Sequence, residues 1–395
     1  MTKIAQLLNV RIPCTCGKDH FVPIRDVDFE FQEEKIGSII KKHIEGEILL
    51  IVADKHTESF NHSVFHQIQK AGYQAELVEF EDKKLIPDEK AVGRVLMATD
   101  RNISGIVAIG SGTVNDINRL VGDRIKVPVV TIATAPSMDG YAASGSSMMV
   151  QGVKKTIKNS TVSGIYAKMD VVRNCPYDLI QAGFGDIIGK KTALADWVLS
   201  RELTGEYWCD QTVSYVEEST QKCIDNKDQI ARREEQGIRD LTEALVLSGI
   251  AMAMVDDTRP ASGSEHLVSH YLVMKAIEKG QLPPSHGRTV GIGTLISVIL
   301  YEFLFDHATF QKQEKSEELK EKIKTYLPKK EEVIDWLTTL ELSTHPKDYD
   351  VDEDLMEELI HKAGFIRDRY TIFTYLNELG LIDECAAYVK KYFYK

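Results

Sequence analysis

Residues 105–116 read Gly-Ile-Val-Ala-Ile-Gly-Ser-Gly-Thr-Val-Asn-Asp, an apolar run followed directly by two glycines one residue apart. The run is typical of a strand buried in a parallel sheet, and the glycines let the backbone approach a phosphate closely. We expect Thr113 to cap a following helix whose amide groups and dipole attract an anion. The segment predicts a dinucleotide-binding loop, although Asn115 departs from the full Gly-x-Gly-x-x-Gly pattern and a simple tight turn is the alternative. The predicted cofactor contacts here are Gly110, Ser111, Gly112, Thr113 and Val114.

On both sides of this loop, short apolar runs alternate with stretches of helical periodicity. Such alternation predicts right-handed crossovers and a doubly wound parallel sheet. The predicted strands are 47–54, 75–80, 105–109 and 127–132, and the predicted helices are about 60–71, about 88–100 and one starting at 113. An irregular N-terminus precedes them, and a crossing loop with a β-hairpin is expected within 135–175.

The second half of the chain has a different texture, with apolar residues at helical spacing throughout. Its predicted helices are 179–199, 240–254, 264–279, 289–307 and a strongly charged one at 314–327. We therefore predict an α/β, Rossmann-like dinucleotide-binding domain at 1–175 and an all-α metal- and substrate-binding domain at 176–395, ending in an acidic helical tail. A chain of 395 residues is long enough for two cores.

Composition excludes several functional classes. A net charge of −12 opposes phosphate-backbone binding, so nucleic acid is not an expected partner. We find no apolar window long enough for a membrane span and no signal peptide, and the six cysteines do not resemble a disulfide framework. Reduced thiols and a cytoplasmic location without membrane insertion are expected.

Asp54 ends the first predicted strand. A carboxylate at that position is suited to accept hydrogen bonds from an adenosine ribose, which favours NAD over its 2′-phosphorylated form. The structural alternative is that Asp54 caps a turn or helix.

Three glycine-marked segments of the second half carry metal-binding side chains: 183–186, 263–270 and 285–287. We expect Asp186 to open a helix behind Gly-Phe-Gly, and His266 to begin another with His270 on the same face. One carboxylate and two imidazoles suit a borderline divalent ion, and zinc, nickel, iron and manganese are all possible. Spacing alone does not show that the three segments converge.

Five motifs in order resemble the sn-glycerol-1-phosphate dehydrogenase family, which lies within the iron-containing alcohol dehydrogenase and dehydroquinate synthase-like superfamily. The similarity covers about residues 45–305. The motifs are Gly110-Ser-Gly-Thr-Val-Asn-Asp, Thr134-Ala-Pro-Ser-Met-Asp-Gly-Tyr, Ala182-Gly-Phe-Gly-Asp-Ile-Ile-Gly-Lys, Arg259-Pro-Ala-Ser-Gly-Ser-Glu-His and Ser285-His-Gly.

The resemblance implies a homodimeric cytoplasmic enzyme that reduces dihydroxyacetone phosphate to sn-glycerol 1-phosphate with NADH or NADPH. It implies metal ligation by Asp186, His266 and His286, and substrate contacts from Asp139, His270 and Asp186. Further cofactor contacts are implied at Thr134, Ala135, Pro136 and Ser137. Ala143 and Ser144 stand where the family often offers a hydroxyl, so Ser144 supplies a shifted contact or the contact is lost.

The proposed chemistry gives each residue a task. A divalent cation acts as a Lewis acid on the ketone, His270 supplies a proton and Asp139 holds a substrate hydroxyl. His270 as a packing residue is the alternative. The substrate phosphate needs cations, and Lys190 and Arg259 are the candidates.

Three functional alternatives remain open at this point: a general polyol or glycerol dehydrogenase, a dehydroquinate synthase-like cyclase that uses NAD transiently, and a catalytically silent nucleotide- or metal-binding protein. Separately, Cys14, Cys16 and His20 have the residue types of a soft metal site but supply only three ligands, so their role is left open.

Overall fold

The computed structural model describes residues 4–82, 85–99 and 102–395. Two compact units emerge from the packing. The first comprises the chain up to Ile180 together with Arg233–Asp256, and the second comprises Gln181–Arg232 and Asp257–Lys395. The segment Arg233–Asp256 therefore groups with the α/β unit by its contacts, although it lies beyond residue 175 in sequence.

The first unit is built on parallel strands with helices between them. Its strands are β1 (Arg11–Ile12), β2 (His20–Phe21), β3 (Asp26–Asp28), β4 (Ile48–Asp54), β5 (Gln74–Phe80), β6 (Gly105–Gly110), β7 (Val129–Ala133), β8 (Gly145–Val150), β9 (Val153–Lys158) and β10 (Gly164–Ala167). Its helices are α1 (Ile36–His43), α2 (Glu58–Lys70), α3 (Glu89–Met97), α4 (Gly112–Ile125), α5 (Met169–Arg173) and, from the later segment, α9 (Glu235–Val255).

Six strands form the main sheet in the order β3-β10-β7-β6-β4-β5, and every neighbouring pair is parallel. The chain moves from β4 outward to β5 and then returns past β4 to β6, which places a topological switch point between the carboxyl ends of β4 and β6. Open α/β sheets bind their ligands at such a point. The predicted doubly wound sheet is confirmed.

The sequence prediction missed two strands of this sheet and one hairpin. β3 and β10 were not predicted because their sequences, Asp-Val-Asp and Gly-Ile-Tyr-Ala, are too short and too varied in polarity to show a buried-strand pattern. The supposedly irregular N-terminus contains the antiparallel β1–β2 pair. The predicted hairpin in 135–175 is present as β8–β9.

The core of the first unit lies between the sheet and the helices α1 and α2. Apolar residues of β4, β6 and β7 meet apolar residues of these two helices, among them Ile51, Val107, Ile132, Ile40 and Val64, all of them buried. Burying such side chains contributes about 1.5–3 kcal/mol each relative to exposing them. The strand ends that carry the polar loops are thereby held by a rigid sheet.

The second unit is helical throughout its described residues. It contains most of α6 (Tyr177–Thr204), then α7 (Asp210–Asp225), α8 (Lys227–Ala231), α10 (Ser264–Glu278), α11 (His286–Asp306), α12 (Ala308–Gln311), α13 (Ser316–Lys324), α14 (Lys330–Thr339), α15 (Glu353–Lys362), α16 (Ile372–Glu378) and α17 (Ile382–Tyr394). The charged helix is shorter than the predicted 314–327 because Lys315 adopts a left-handed backbone conformation, so α13 begins at Ser316. Asp100, the predicted end of the helix that forms α3, lies outside the described residues.

Helix α11 is the most apolar helix of this unit. Among the described residues it is the one helix long and apolar enough to cross a bilayer, but 83% of its apolar window is buried inside the protein. An apolar helix covered on all sides in this way is a core helix.

Two glycines on neighbouring helices explain how closely α6 and α11 approach. A Cβ atom at Gly287 would lie 1.7 Å from the Ala182 carbonyl oxygen, and one at Gly185 would lie 2.2 Å from the Gly287 carbonyl oxygen. Either methyl group would overlap backbone atoms, so this crossing requires glycine. The expectation that Asp186 opens a helix was wrong, because Gly183, Gly185 and Asp186 all lie inside α6, where Gly185 serves helix packing.

Candidate functional site

The loop between β6 and α4 contains the two glycines of the predicted phosphate-binding segment. A Cβ at Gly110 would lie 2.7 Å from Val114 Cγ2, and a Cβ at Gly112 would lie 2.5 Å from Met138 Cγ. Both glycines are therefore needed for the loop to pass so close to its neighbours.

Helix α4 begins one residue earlier than predicted. Its N-cap is Ser111, no side chain makes a capping bond there, and Thr113 lies within the first turn, so the predicted Thr113 cap was wrong. Amide groups in a first helical turn have no intrahelical acceptor, and they present partial positive charge to an anion. An uncapped N-terminus next to two glycines fits a pyrophosphate group.

Asn115, which breaks the glycine fingerprint, has a structural role. Thr131 Oγ1 on β7 donates a hydrogen bond of 2.7 Å to Asn115 Oδ1, and both residues are buried. This bond holds α4 against the sheet at the position where the usual third glycine would allow close packing.

The carboxyl end of β7 continues the same surface of the first unit. The Thr134 amide donates to the Gly110 carbonyl at 3.1 Å, and the Tyr141 hydroxyl donates to the Ala135 carbonyl at 2.8 Å. Thr134, Ala135 and Pro136 are buried, and Ser137 is half-buried. The segment predicted to contact the cofactor is thus fixed beside the β6–α4 loop.

Asp54 lies at the end of β4, next to β6 in the sheet. Its carboxylate accepts a hydrogen bond of 3.0 Å from the His56 amide, as in the turn-capping alternative. Burial of the side chain raises the pKa of Asp54 above its usual range. The capping bond uses one carboxylate oxygen, and Asp54 lies at the switch point, where open α/β sheets bind their ligands.

Asp139 and Ser144 occupy defined positions in the first unit. Asp139 Oδ2 accepts a hydrogen bond of 3.0 Å from Ser248 Oγ, and Ser144 Oγ donates to Asp256 Oδ1 at 3.3 Å. Both contacts come from α9 or its end, which shows why this helix groups with the α/β unit.

The second unit brings the three predicted metal ligands together. One donor atom from each of Asp186, His266 and His286 lies within 4.8 Å of the others. Asp186 and His266 are buried, and the ring centroids of His266 and His286 are 5.1 Å apart. One carboxylate oxygen and two imidazole nitrogens in this arrangement fit a borderline divalent cation.

Both imidazoles are oriented by contacts made through Nδ1. His266 Nδ1 lies 2.6 Å from Glu265 Oε1, and His286 Nδ1 lies 3.1 Å from Ser269 Oγ. Histidines that bind metals commonly use the second nitrogen in this way, because the contact fixes the ring and its tautomer. The donor set therefore fits a metal in orientation as well as in residue type.

Glu265 was not singled out by the sequence analysis. Its side chain is fully buried and also accepts hydrogen bonds from the Gly263 amide at 2.6 Å and Thr192 Oγ1 at 2.7 Å. Burial opposes the charged form of Glu265, but the bond with His266 lowers its pKa overall. An acidic residue directly before a ligand histidine at a helix start was the signal that could have identified it.

The charges around Asp186 favour its ionised form. Burial opposes the carboxylate, but the nearby Lys190 ammonium and the imidazoles of His266 and His286 lower its pKa well below the usual range. Lys190 Nζ donates to Asp186 Oδ1 at 2.7 Å and to the Ala261 carbonyl at 3.2 Å, and its side chain is fully buried. An ionised carboxylate is the form in which aspartate binds a cation.

The remaining predicted residues of the second unit divide into two groups. The His270 ring stacks on the His286 ring, with centroids 5.6 Å apart, so His270 belongs to the cluster. The Arg259 guanidinium is bound to both carboxylate oxygens of Glu206 and donates to the Tyr370 carbonyl at 2.9 Å. Arg259 thus has a structural task in joining separate segments of this unit.

Sequence comparison agrees with this geometry. A protein from Geobacillus stearothermophilus named glycerol-1-phosphate dehydrogenase [NAD(P)+] is 30% identical over 402 residues, which cover 96% of this chain and 99% of that protein. The chain belongs to the glycerol-1-phosphate dehydrogenase family. A family member from Bacillus subtilis is 31% identical over 365 residues, covering 90% of this chain and 92% of that protein.

Wider relationships of the family are also visible. The sequence profile of the iron-containing alcohol dehydrogenases matches residues 32–176. An iron-containing alcohol dehydrogenase from Thermococcus thioreducens has a similar structure, with a TM-score of 0.69 at 14% identity, covering 94% of this chain and 99% of that chain. The predicted family and superfamily are thereby confirmed, and at this identity the solved structure supports the fold alone.

Proposed function

We propose that this protein reduces dihydroxyacetone phosphate to sn-glycerol 1-phosphate with NADH or NADPH and also catalyses the reverse reaction. The observation that supports this most strongly is the buried Asp186, His266 and His286 cluster in a chain aligned over 96% of its length with a glycerol-1-phosphate dehydrogenase. The first unit would bind the nicotinamide nucleotide and the second would bind the metal.

Two bound groups provide the reactivity that amino-acid side chains lack. When bound, a divalent cation held by Asp186, His266 and His286 withdraws electron density from the substrate carbonyl, and the reduced nicotinamide supplies a hydride. Zinc or nickel are the proposed ions, ahead of iron or manganese, because a mixed carboxylate and imidazole set suits borderline cations.

The protein residues position the reactants and supply the proton. Hydride addition at carbon 2 leaves the former carbonyl oxygen in need of a proton, and the His270 imidazole is the proposed donor. Asp139, as an ionised carboxylate, would accept a hydrogen bond from a substrate hydroxyl. The residues of the β6–α4 loop and 134–137, with Ser144 as a further candidate, would hold the dinucleotide.

Recognition of the substrate phosphate is assigned to cations of the second unit. Lys190 and Arg259 are both candidates, and each already pairs with a carboxylate, Lys190 with Asp186 and Arg259 with Glu206. Replacing Lys190 with Met should raise the KM for dihydroxyacetone phosphate without changing that for unphosphorylated dihydroxyacetone. Equal changes for both substrates would show that Lys190 acts through Asp186 instead.

Asp54 would accept hydrogen bonds from the ribose and so favour NAD over NADP. Replacement by Ala should narrow the difference between the KM values for NADH and NADPH. An unchanged ratio would leave Asp54 with its turn-capping role alone.

The decisive assay follows oxidation of reduced nicotinamide by metal-replete and by chelated enzyme, with dihydroxyacetone phosphate, dihydroxyacetone and glycolaldehyde as separate substrates. Metal-dependent turnover of the phosphorylated ketone to the sn-1 product supports the proposal. Turnover of the unphosphorylated carbonyls alone would identify a general polyol dehydrogenase. Turnover of a cyclase substrate without net use of NADH would identify the cyclase instead.

A homodimer in the cytoplasm completes the proposal. Sedimentation equilibrium of the purified protein tests the dimer, since a molecular mass near the 44.4 kDa of one chain would contradict it. Fractionation of cells with an antibody to the chain tests its location.

A further inference from the structure

The β1–β2 hairpin in the first unit carries a set of soft ligand atoms that the proposed reaction does not use. Its strands pair Arg11 with Phe21 and Ile12 with His20, and each strand is two residues long. Between them the chain turns sharply: the Gly17 amide donates to the Cys14 carbonyl at 3.4 Å, and Gly17 has a φ of +87°. This turn contains both cysteines of the hairpin, and His20 lies on the strand that follows it.

Cys14, Cys16 and His20 meet at one point. One ligand atom of each lies within 4.8 Å of the others, and Cys16 Sγ is 3.4 Å from His20 Nε2. With zinc–sulfur and zinc–nitrogen bonds of about 2.3 and 2.0–2.1 Å, tetrahedral geometry puts a sulfur and a nitrogen ligand about 3.5 Å apart. The observed separation is that of a sulfur–nitrogen hydrogen bond and also matches that of two ligands of one ion.

His20 is oriented as a ligand by the protein itself. The side chain is fully buried, and Nδ1 lies 2.8 Å from the Met254 carbonyl oxygen near the end of α9. A carbonyl oxygen only accepts hydrogen bonds, so Nδ1 carries a proton and Nε2 is the ring nitrogen that faces Cys16 Sγ. A ring nitrogen bound to a backbone carbonyl is a common support for a metal-ligating histidine.

We propose that Cys14, Cys16 and His20 bind a structural zinc ion that is separate from the metal of the Asp186 cluster. Two thiolates and an imidazole are soft to borderline ligands that suit zinc, and a fourth donor completes the tetrahedron. A hairpin with strands of two residues buries too little to hold its shape alone, and a metal crosslink stabilises such small elements. The ion holds the hairpin turn and, through His20, its attachment to α9.

Sulfur ligation separates this site from the catalytic one, whose proposed ligands contain no sulfur. The test uses the His266→Ala/His286→Ala double variant, which lacks the catalytic ligands, expressed with zinc and measured by elemental analysis and zinc K-edge absorption. We expect about one zinc per chain with sulfur neighbours at about 2.3 Å. A chain free of zinc, or zinc with only oxygen and nitrogen neighbours, would overturn the proposal, as would a disulfide between Cys14 and Cys16.

Adding Cys14→Ser and Cys16→Ser to that background should abolish zinc binding. In the otherwise unchanged chain, the same two substitutions should leave metal-dependent turnover intact while removing one zinc per chain. If the variant with all four substitutions still bound zinc through sulfur, the ion would lie at other cysteines and the assignment would be refuted. The two results also separate failure of this proposal from failure of the proposed catalytic function.

A measurement on the folded protein guards against a variant that fails to fold. Treatment of the His266→Ala/His286→Ala protein with an organomercurial should release about one zinc per chain to a colorimetric indicator, since mercurials displace metals from thiolates. Absence of release would overturn the site. Serine substitution of Cys175, Cys209, Cys223 and Cys385 in turn then determines whether the fourth donor is a thiol, read as the number of sulfur neighbours.

Discussion

The predicted dinucleotide-binding loop of the first unit and the predicted metal cluster of the second unit are built from different parts of the chain. The loop relies on main-chain amides and on two glycines whose missing Cβ atoms would overlap Val114 and Met138. The cluster relies on buried side chains, each held by a further contact, such as His266 by Glu265. The first site is therefore sensitive to added volume, and the second to lost functional groups.

The largest effect on activity is expected from replacing one of the three proposed metal ligands. Replacing His266 with Ala should remove the bound metal and lower kcat by more than about 1000-fold, because a Lewis acid contributes several kcal/mol to such a reaction. Metal analysis and turnover check this, with circular dichroism to show that the fold persists. His361→Ala, a histidine of the same unit paired with Asp383, is the control and should change neither quantity. Stoichiometric metal and full turnover in the His266 variant would sink the ligand assignment.

The second largest effect is expected on metal affinity, from loss of a side chain that supports a ligand. Glu265→Gln keeps the shape but removes the charge beside His266, and loss of such a supporting contact weakens metal affinity by about 10- to 100-fold. Competition with a chelator of known affinity measures it. Glu278→Gln, on the same helix but 58% exposed at its side chain, should leave the affinity unchanged. Equal affinities in the two variants would mean that Glu265 serves folding alone.

A third substitution tests the sensitivity of the loop to volume. Gly110→Ala places a methyl group against β-branched Val114, and overpacking of this kind costs about 1–3 kcal/mol. We expect about tenfold weaker binding of NADH, measured by fluorescence titration, with the metal content unchanged. Gly93→Ala is the matched control, because no atom of the described residues outside its own helix lies within 4 Å of that Cβ position. Similar NADH affinities in both variants would show that the loop has room to adjust.

The smallest expected effect is on stability and concerns His43, which belongs to neither site. Burial lowers the pKa of His43 from 6.5 to about 4, although nearby Asp26 acts in the opposite direction. Between these values the unfolded chain binds a proton at His43 that the folded chain does not, so this residue's contribution to stability is lost as pH falls from 6.5 towards 4. His43→Gln should flatten the fall of the urea midpoint over that range. Parallel pH profiles for the two proteins would contradict the assignment.

The fold and the convergence of the ligands were predictable to different extents. Alternating apolar runs predicted β4, β5, β6 and β7, because a strand buried on both faces has a strong local signature. The Asp186, His266 and His286 segments were identified by their motifs, yet only the folded chain brings them together. The local sequence pattern predicted the strands and helices, and the family resemblance predicted which residues form the metal site.

The errors arose where tertiary contacts override local signals. Gly183 and Gly185 resemble a break before a helix, but they lie inside α6 because α11 crosses it there. Thr113 resembles a cap, but Gly112 already has helical geometry. Glu265 was overlooked because a single acidic residue is usually solvated, and nothing in the local sequence shows that this one is fully buried.

The crossing of α6 and α11 at Gly185 and Gly287 also fixes the spacing of two of the proposed metal ligands. Asp186 follows Gly185, and His286 precedes Gly287. The distance between these two side chains is therefore set by the contact between the main chains of α6 and α11. Replacing Asp186 or His286 by another ligand residue would change the ligand atom but not the spacing of the two helices. A methyl group at either glycine would act as a spacer that separates the helices. The distance between these two proposed ligands thus depends on two residues that offer no ligand atom.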